Sequence, residues 1–349
     1  MQINNFQNLP ISTSAYEQKV IDFCQKWLGG QAEFTIKTSG STGEPKPITL
    51  SRRQMIASAI LTGRTFGLKR GDRALVCLNV DYIAGMMMLV RGMELELKLT
   101  IVEPSGNPFI HIQNQPFDFL ALVPLQLQNL LNIQQNLEML NQAKAIIVGG
   151  AAVNEALEIQ IQEIKSPVYG TYGMTETVSH IAIKRLNGIH KSQNFQVLAG
   201  VKIGIDDRKC LNITAEASNN ELVQTNDIVE MINPTEFKLL GRFDNIINSG
   251  GVKIQLEKIE HLLANQIKIL NPLRFFAYGL PDDTLGQKLV LCIEGEEVST
   301  ETRMKFLANI QAVLPKYEIP KEIYFVPQFI ETPTGKVDKK KTVENVRGL

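Results

Sequence analysis

Short apolar runs punctuate the first half of the chain, at 74–78, 99–103, 118–123 and 144–148. Segments with apolar residues at helical spacing lie around them, near 52–66, 82–94, 125–133 and 154–163. Continuous apolar strands that alternate with helices are typical of a parallel sheet covered on both faces. The pattern therefore predicts an α/β domain.

Polar residues mark where the first helices begin. Ser14 precedes Glu17, and Ser51 precedes Gln54, at the spacing of a capping box. Gly29 ends the first of these predicted helices, and a short strand is expected at 34–37.

The pattern changes after about residue 195, where polar and apolar residues alternate as in half-buried antiparallel strands. A mixed segment follows from 245, with helices predicted near 255–266 and 300–313 and strands near 273–278, 288–293 and 322–327. We therefore predict a large domain over 1–241 that ends in a β-rich subdomain, a boundary at 242–244 and a small α+β domain over 245–349.

Composition narrows the class of protein. The 349 residues carry 36 Lys plus Arg and 36 Asp plus Glu, a balance that argues against a broad nucleic-acid or anionic-membrane surface. The four cysteines are far apart and form no C-x-x-C pair, which favours free thiols over a zinc site or disulfides. The N-terminus lacks a signal-peptide pattern, and the longest apolar run has nine residues, 82–90, against the roughly 20 that span a bilayer. The sequence predicts a soluble cytoplasmic protein.

A loop rich in glycine and hydroxyl groups, Thr38–Lys46, follows the 34–37 strand. Its glycines let the backbone approach an anion, and its hydroxyls and Lys46 suit phosphate oxygens. It lacks the Gly-Lys-Ser/Thr triplet of a Walker A loop. A phosphate-binding loop and a plain polar turn both fit these residues.

A second glycine-containing segment, Gly170–Thr177, follows the short strand 167–169. An aromatic residue between glycines can stack on a base, and Glu176 can hold Mg²⁺. An ordinary turn with an exposed glutamate is the alternative.

Two further clusters occur towards the C-terminus. The first cluster, residues 241–245 and 249–253, fits either a hinge with a glycine-lined surface or an ordinary linker. The second, residues 333–339, fits either a lysine presented on a tight turn or a solvated tail.

Taken in order, the segments TSGSTGEPK, TYGMTE, Thr225-Asn226-Asp227, GRFDN and PTGKVDK resemble those of the adenylate-forming superfamily, which includes acyl-CoA synthetases, luciferases and peptide-synthetase adenylation domains. The resemblance covers almost the whole chain. It implies a two-domain enzyme that uses ATP and Mg²⁺, in which residues 242–244 are the hinge of a mobile domain over 245–349.

The resemblance also implies roles for individual residues. The phosphate loop would be formed by Thr38, Ser39, Gly40, Ser41, Thr42, Gly43 and Lys46, and the adenine and acyl pockets would be lined by Gly149, Gly150 and Ala151. The nucleotide segment would comprise Gly170, Thr171, Tyr172 (stacked on adenine), Gly173 and Met174, with Thr175 and Glu176 serving phosphate and Mg²⁺. The ribose would be bound by Asp227 and Arg242, and the hinge would be Asp244. The lysine of the adenylation step would be Lys336, and the CoA-binding face would comprise Ser249, Gly250 and Gly251.

Three departures from the family pattern stand out. Pro47 and Asn226 occupy positions where glycine is usual. The phosphate loop begins at residue 38, which implies that an N-terminal subdomain of most relatives is missing. An incomplete acyl pocket or dependence on a partner would follow.

The segment Ser249–Gly251, followed by Lys253 and Ile254, is similar to the CoA-using ligases, and 82–91 is similar to the acyl-pocket helix of the 2-succinylbenzoate–CoA ligases of menaquinone biosynthesis. Arg91 would pair with the benzoate carboxylate that does not react, and Ser179 and His180 would line the same pocket.

Other readings stay open. Arg91 can reach the surface instead, and His180 can be a structural residue. The chain can also be a ligase for another acid or a non-catalytic adenylate-binding protein. The expected partners are a small carboxylic acid, ATP and CoA, with no nucleic acid and no membrane span, and a homo-oligomer is left open.

Overall fold

The computed structural model describes residues 1–37, 47–110, 112, 115–272, 274–332 and 337–347. The chain divides into two compact units. The first comprises Met1–Gly204, Asn212–Gln224 and Met231–Lys238, and the second comprises Ile205–Leu211, Thr225–Glu230 and Leu239–Leu349. The predicted hinge at 242–244 stays a prediction.

The first unit alternates helices and strands. Its helices are α1 (Ala15–Leu28), α2 (Arg52–Phe66), α3 (Ile83–Glu94), α4 (Pro124–Leu131), α5 (Gln134–Leu140) and α6 (Glu155–Gln160). Its strands are β1 (Gln2–Ile3), β2 (Glu33–Lys37), β3 (Pro47–Ser51), β4 (Arg73–Val76), β5 (Lys98–Ile101), β6 (Phe119–Leu122), β7 (Ala145–Val148), β8 (Val168–Gly173), β9 (His180–Arg185) and β10 (Phe195–Val197).

The main sheet of this unit has the strand order β1-β5-β4-β6-β7-β8-β9-β10. The five strands from β5 to β8 in that order are parallel, and the antiparallel strands β1, β9 and β10 extend the two edges. Successive residues of the parallel strands enter different cores: Phe119 packs with the α1–α3 side, and Leu120 packs with the α4–α6 side. The predicted parallel sheet with both faces covered is confirmed.

Four strands follow, and their residues are divided between the two units: β11 (Lys202–Ile205), β12 (Cys210–Thr214), β13 (Leu222–Asn233) and β14 (Glu236–Arg242). Alternate residues at the centre of β13 are buried, as the sequence pattern predicts.

The second unit has its own sheet of β15 (Ile246–Ser249), β16 (Val252–Gln255), β17 (Arg274–Asp282), β18 (Gly286–Glu294) and β19 (Glu322–Val326). The order is β16-β15-β18-β17, with β19 parallel to β18. Helices α7 (Leu256–Leu263), α8 (Thr300–Val313) and α9 (Lys339–Arg347) complete it. The sequence patterns predict α7, α8 and three of the strands, but not the β15–β16 hairpin or α9.

The two predicted capping boxes differ in outcome. At α2, the Ser51 hydroxyl accepts from Gln54 N and the Gln54 side chain accepts from Ser51 N, so the box is complete. At α1, the Ser14 hydroxyl accepts from Glu17 N, but the Glu17 carboxylate instead accepts from Thr13 N at 2.7 Å and contacts the N-terminal amine at 3.0 Å. The second half of that box is therefore absent, because a cation competes for the carboxylate.

All four cysteines are buried free thiols. Among the described residues, no helix is long and apolar enough to cross a membrane.

Helix α3 lies so close to the preceding loop that Gly85 has no room for a side chain. A Cβ on Gly85 would lie 2.4 Å from the backbone oxygen of Asn79. Helix propensity alone would make alanine more stable here by about 1 kcal/mol. We expect Gly85→Ala to lower the free energy of unfolding by about 1–3 kcal/mol, because a backbone atom has to move.

Gly63→Ala in α2 is the matched control for chemical denaturation. Its Cβ would meet only the side chain of Leu95, at 2.8 Å, which can change rotamer. Gly63→Ala should therefore cost less than Gly85→Ala. Equal unfolding free energies for the two variants would contradict the close approach of α3.

Candidate active site

Two glycine-containing segments of the first unit meet at the carboxyl ends of the neighbouring parallel strands β7 and β8. A Cβ on Gly149 would lie 2.5 Å from the Thr171 hydroxyl oxygen, and that hydroxyl donates to Val148 O at 3.2 Å. Gly150 has a φ of 86°, a left-handed value that favours glycine, and Ala151 beside it is exposed. Loops at this edge of a parallel sheet are the usual ligand-binding position in α/β folds.

Tyr172 is part of the core in this structure. Its side chain is 7% exposed, and its ring lies 5.7 Å from the ring of Phe195 and 5.2 Å, edge-on, from that of Phe237. The neighbouring Gly170 packs closely against the side chains of Leu186 and Lys184. Stacking of Tyr172 on adenine stays a prediction. It requires one face of the Tyr172 ring to be free of the contacts with Phe195 and Phe237.

A 3₁₀ turn, Thr175–Thr177, carries the predicted magnesium residue. Met174 N donates to the Thr177 hydroxyl at 3.1 Å, which fixes the turn. The Glu176 carboxylate is exposed and makes no ion pair with a described residue. Carboxylate oxygen is a ligand that Mg²⁺ prefers, and one such group together with substrate phosphates is its common coordination. Glu176 thus fits a metal held mainly by a nucleotide.

The chain leaves this turn through a strained residue. Val178 has a φ of 63° and a ψ of −53°, and Ser179 N donates to Thr177 O at 2.6 Å. This is a γ-turn of the rare form, and a β-branched residue at such a φ stores about 1–3 kcal/mol. The turn packs on the nucleotide segment so tightly that a Cβ on Gly173 would lie 2.2 Å from Ser179 O.

Arg91 of α3 is a buried cation. The residue is 2% exposed, so the alternative that it reaches the surface is wrong. Its Nη2 donates to the Ser179 hydroxyl at 2.6 Å, its Nε donates to the Thr62 hydroxyl at 3.2 Å, and its Nη1 lies 3.6 Å from Met88 Sδ. Burial lowers the pKa of Arg91 to about 10, which leaves the guanidinium charged at neutral pH. No carboxylate of a described residue pairs with it.

His180, the first residue of β9, lies on the other side of Ser179. Its Nδ1 is 3.2 Å from the Ser179 hydroxyl, and its ring is 5.8 Å from the ring of Phe66. Burial, together with the charge of Arg91, lowers the pKa of His180 to about 3, so the imidazole is neutral. The structure thus brings all three predicted acyl-pocket residues together.

In the second unit, four polar side chains near the predicted hinge form one network. Arg242 pairs with Asp227 at 3.3 Å and with Asp244 at 2.9 Å, while Asp227 is 9% exposed. Asn226 Nδ2 donates to both carboxylate oxygens of Asp244, at 3.1 and 3.2 Å. The residue that replaces the usual glycine therefore holds the predicted hinge aspartate, a role that the sequence did not indicate.

Ser249, Gly250 and Gly251 form the end of the β15–β16 hairpin. Ser249 pairs with Val252, and the two glycines between them have φ values of 59° and 85°. Positive φ at both central residues is the signature of a type I′ turn, for which glycine is favoured. The segment is therefore a tight turn within one unit, and its role towards CoA stays a prediction.

Several predicted site residues lie outside the described residues. They are Thr38, Ser39, Gly40, Ser41, Thr42, Gly43, Lys46 and Lys336. The residues that flank them pair: Lys37 with Pro47, and Glu331 with Val337.

A groove of about 1040 Å³ in the first unit contains none of the predicted site residues. One face of α2 lines it, including Ile56, Ile60 and Arg64. The predicted site therefore does not coincide with this groove.

Comparisons with known proteins identify the family of this chain. The model of the AMP-binding enzyme family matches residues 32–212, more than half of the chain. A 2-succinylbenzoate–CoA ligase of Listeria monocytogenes serotype 4b (strain F2365) is 26% identical over 339 residues, covering 92% of this chain and 71% of the relative.

Two crystal structures are informative. An acyl-CoA synthetase (AMP-forming)/AMP-acid ligase II-like protein from Dyadobacter fermentans is 45% identical, covers 99% of both chains and has a TM-score of 0.68. The O-succinylbenzoate coenzyme A synthetase of Bacillus subtilis, in complex with ATP and magnesium ion, is 20% identical, covers 88% of this chain and 69% of its own, and has a TM-score of 0.71, which shows a shared fold. On the family match and the 45% identity over nearly its whole length, this chain belongs to the AMP-binding enzyme family.

Proposed function

We propose that this chain is an AMP-forming acid–CoA ligase that activates 2-succinylbenzoate as an acyl-adenylate and transfers it to CoA, a step of menaquinone biosynthesis. The names of curated relatives from Listeria, Bacillus and Staphylococcus support this substrate, at 24–26% identity. The observation that carries the proposal is the buried guanidinium of Arg91.

A guanidinium has five N–H groups, and the described contacts of Arg91 use three of them. A buried charge without a counter-ion costs several kcal/mol, so an anionic ligand at this position would be bound strongly. 2-Succinylbenzoate has two carboxylates, of which only the succinyl group reacts. The benzoate carboxylate stays anionic and matches the planar guanidinium.

In the first step, the succinyl carboxylate attacks the α-phosphorus of ATP, giving acyl-AMP and pyrophosphate. No protein nucleophile takes part. The chain aligns the reactants, with Arg91 fixing the distal end of the acid and Thr175 facing the phosphates. Glu176 would hold Mg²⁺, which neutralises phosphate charge, and Lys336 would donate to the phosphate and carboxylate oxygens.

In the second step, residues 245–349 turn about Asp244 and withdraw Lys336. The thiol of CoA then attacks the acyl carbonyl carbon. The thioester bond forms as the bond to AMP breaks, and the thiol proton is released. The glycine turn at Gly250 would face CoA in this state.

A pyrophosphate-release screen tests the function. Aryl and aliphatic acids are offered with MgATP, with and without CoA, and products are identified by mass spectrometry. We expect release above background with 2-succinylbenzoate, and its thioester and AMP only when CoA is present. Faster turnover of another acid would reassign the substrate, and no release with any acid would refute the ligase activity.

Removal of the buried charge should affect the acid and spare the nucleotide. Loss of one charge-assisted contact typically costs about 1.5–3 kcal/mol, which corresponds to roughly ten- to a hundredfold in KM. We expect Arg91→Ala, and Arg91→Met, which also preserves packing volume, to raise the KM for 2-succinylbenzoate by about this factor. The KM for ATP should change little.

The control substrate is an analogue without the benzoate carboxylate. It should be a poor substrate of the parent enzyme and insensitive to both Arg91 variants. If parent and variants handle the two acids alike, Arg91 is only a structural residue.

The two half-reactions should depend differently on Lys336. We expect Lys336→Ala to abolish pyrophosphate release but to leave thioester formation from supplied acyl-adenylate largely intact, because the proposed contact of Lys336 belongs to the first step alone. Lys339→Ala is the nearby control, since Lys339 is already paired with Glu260 at 2.7 Å. An equal loss of both half-reactions in Lys336→Ala would refute this division.

A further inference from the structure

Arg91, Ser179 and His180 form a directed chain of hydrogen bonds. Arg91 can only donate, so the Ser179 hydroxyl oxygen accepts at 2.6 Å. The neighbouring Thr62 hydroxyl shows the same arrangement, because it donates to Ser58 O at 3.0 Å and accepts from Arg91. Each hydroxyl around the guanidinium therefore accepts from Arg91 and directs its own hydrogen to a different acceptor.

The hydrogen of the Ser179 hydroxyl has one acceptor within hydrogen-bond distance among the described residues, the Nδ1 atom of His180 at 3.2 Å. We assign the Ser179 hydrogen to this acceptor, so that His180 Nδ1 is unprotonated. A neutral imidazole carries a single hydrogen, which consequently lies on Nε2. The charge of Arg91 thus sets the tautomer of a histidine that it does not touch.

His180 Nε2 is buried and has no hydrogen-bond partner in the described structure, and the residue as a whole is 7% exposed. An N–H donor left unpaired in the interior is costly, and such groups in native proteins usually have a partner or serve a ligand. The donor lies beside Arg91 and directly after the strained Val178 turn.

From these contacts we infer that His180 is a specificity-determining residue whose Nε2–H donates to the keto oxygen of the acyl substrate. This inference rests on the proposed function. Arg91 and His180 contact the same Ser179 hydroxyl, which places the two side chains next to each other. In 2-succinylbenzoate the keto group is ortho to the benzoate carboxylate. The Arg91 guanidinium therefore pairs with the benzoate carboxylate, and the neutral Nε2–H of His180 donates to the neighbouring keto oxygen.

The kinetic test compares 2-succinylbenzoate with its analogue in which a methylene replaces the ketone. The parent enzyme should prefer the ketone in kcat/KM by about tenfold, the value of one hydrogen bond to a buried donor. His180→Phe should lose this preference, because it fills the space beside Phe66 without a donor. His180→Gln should retain most of it, since the glutamine amide reaches the position of Nε2.

His180→Asn is the matched control. Its amide lies at the position of Nδ1, so it retains the contact with Ser179 and loses the distal donor. We expect it to behave like His180→Phe. An unchanged ketone preference in both His180→Phe and His180→Asn would overturn the inference, even with full activity towards 2-succinylbenzoate.

The tautomer is measured separately, by ¹⁵N NMR of the histidine rings in the free protein. The chain has four histidines, and His180→Gln assigns the signal by its loss. We expect an Nε2–H tautomer that does not become protonated down to pH 5, and Ser179→Ala should remove the tautomer preference. An Nδ1–H tautomer in the parent would refute the chain of donors.

These results separate the two proposals. If the parent does not turn over 2-succinylbenzoate, the proposed function and the keto contact both fail, while the NMR result still decides the Arg91–Ser179–His180 arrangement. If the parent turns it over without any ketone preference, only the inference fails.

Discussion

The predicted acyl pocket depends on one guanidinium that is charged, buried and without an ion-pair partner among the described residues. Two other segments contact Arg91: α2 contributes Thr62, and the turn before β9 contributes Ser179. The third contact, Met88, lies one turn away in the same helix. Neutral oxygen and sulfur atoms replace only part of the hydration that the cation loses. The hydration free energy that is not replaced favours the binding of an anionic ligand, and it can therefore contribute to substrate selection.

The predicted nucleotide segment and the predicted acyl-pocket residues are in direct contact. Gly173 and Ser179 approach so closely that a side chain at position 173 would collide with the backbone. Between them, the Thr175–Thr177 turn and the strained Val178 restrict the backbone that carries Glu176. Strain of this kind persists only where surrounding contacts fix the backbone, and here Arg91 supplies one of them through Ser179.

Local patterns predicted the elements of this fold well. The apolar run 144–148 corresponds to β7 at Ala145–Val148, because a strand buried on both faces needs apolar residues throughout. The helix over 300–313 begins and ends as predicted, with Ser299 as its N-cap. Predictions failed where a distant group competes for a side chain: the N-terminal amine takes the Glu17 carboxylate that would have completed a capping box.

The motifs supplied the candidate site residues, but the environment of these residues could not be predicted from the sequence. Nothing local distinguishes an arginine that reaches solvent from one that donates to Ser179, 88 positions away. The burial of Tyr172 against Phe195 and Phe237, and the contact of Asn226 with Asp244, likewise depend on pairings across the sheet and the hinge segment. The unpaired Nε2–H donor of His180 is identified only when every hydrogen around the Arg91 guanidinium has been assigned.

The most direct test of the account is a crystal structure with a non-hydrolysable analogue of the 2-succinylbenzoate adenylate. The account predicts the benzoate carboxylate within hydrogen-bond distance, about 2.7–2.9 Å, of the Arg91 guanidinium. A carboxylate that lies in solvent or pairs with another cation, while Arg91 keeps only its contacts with Ser179, Thr62 and Met88, would contradict it.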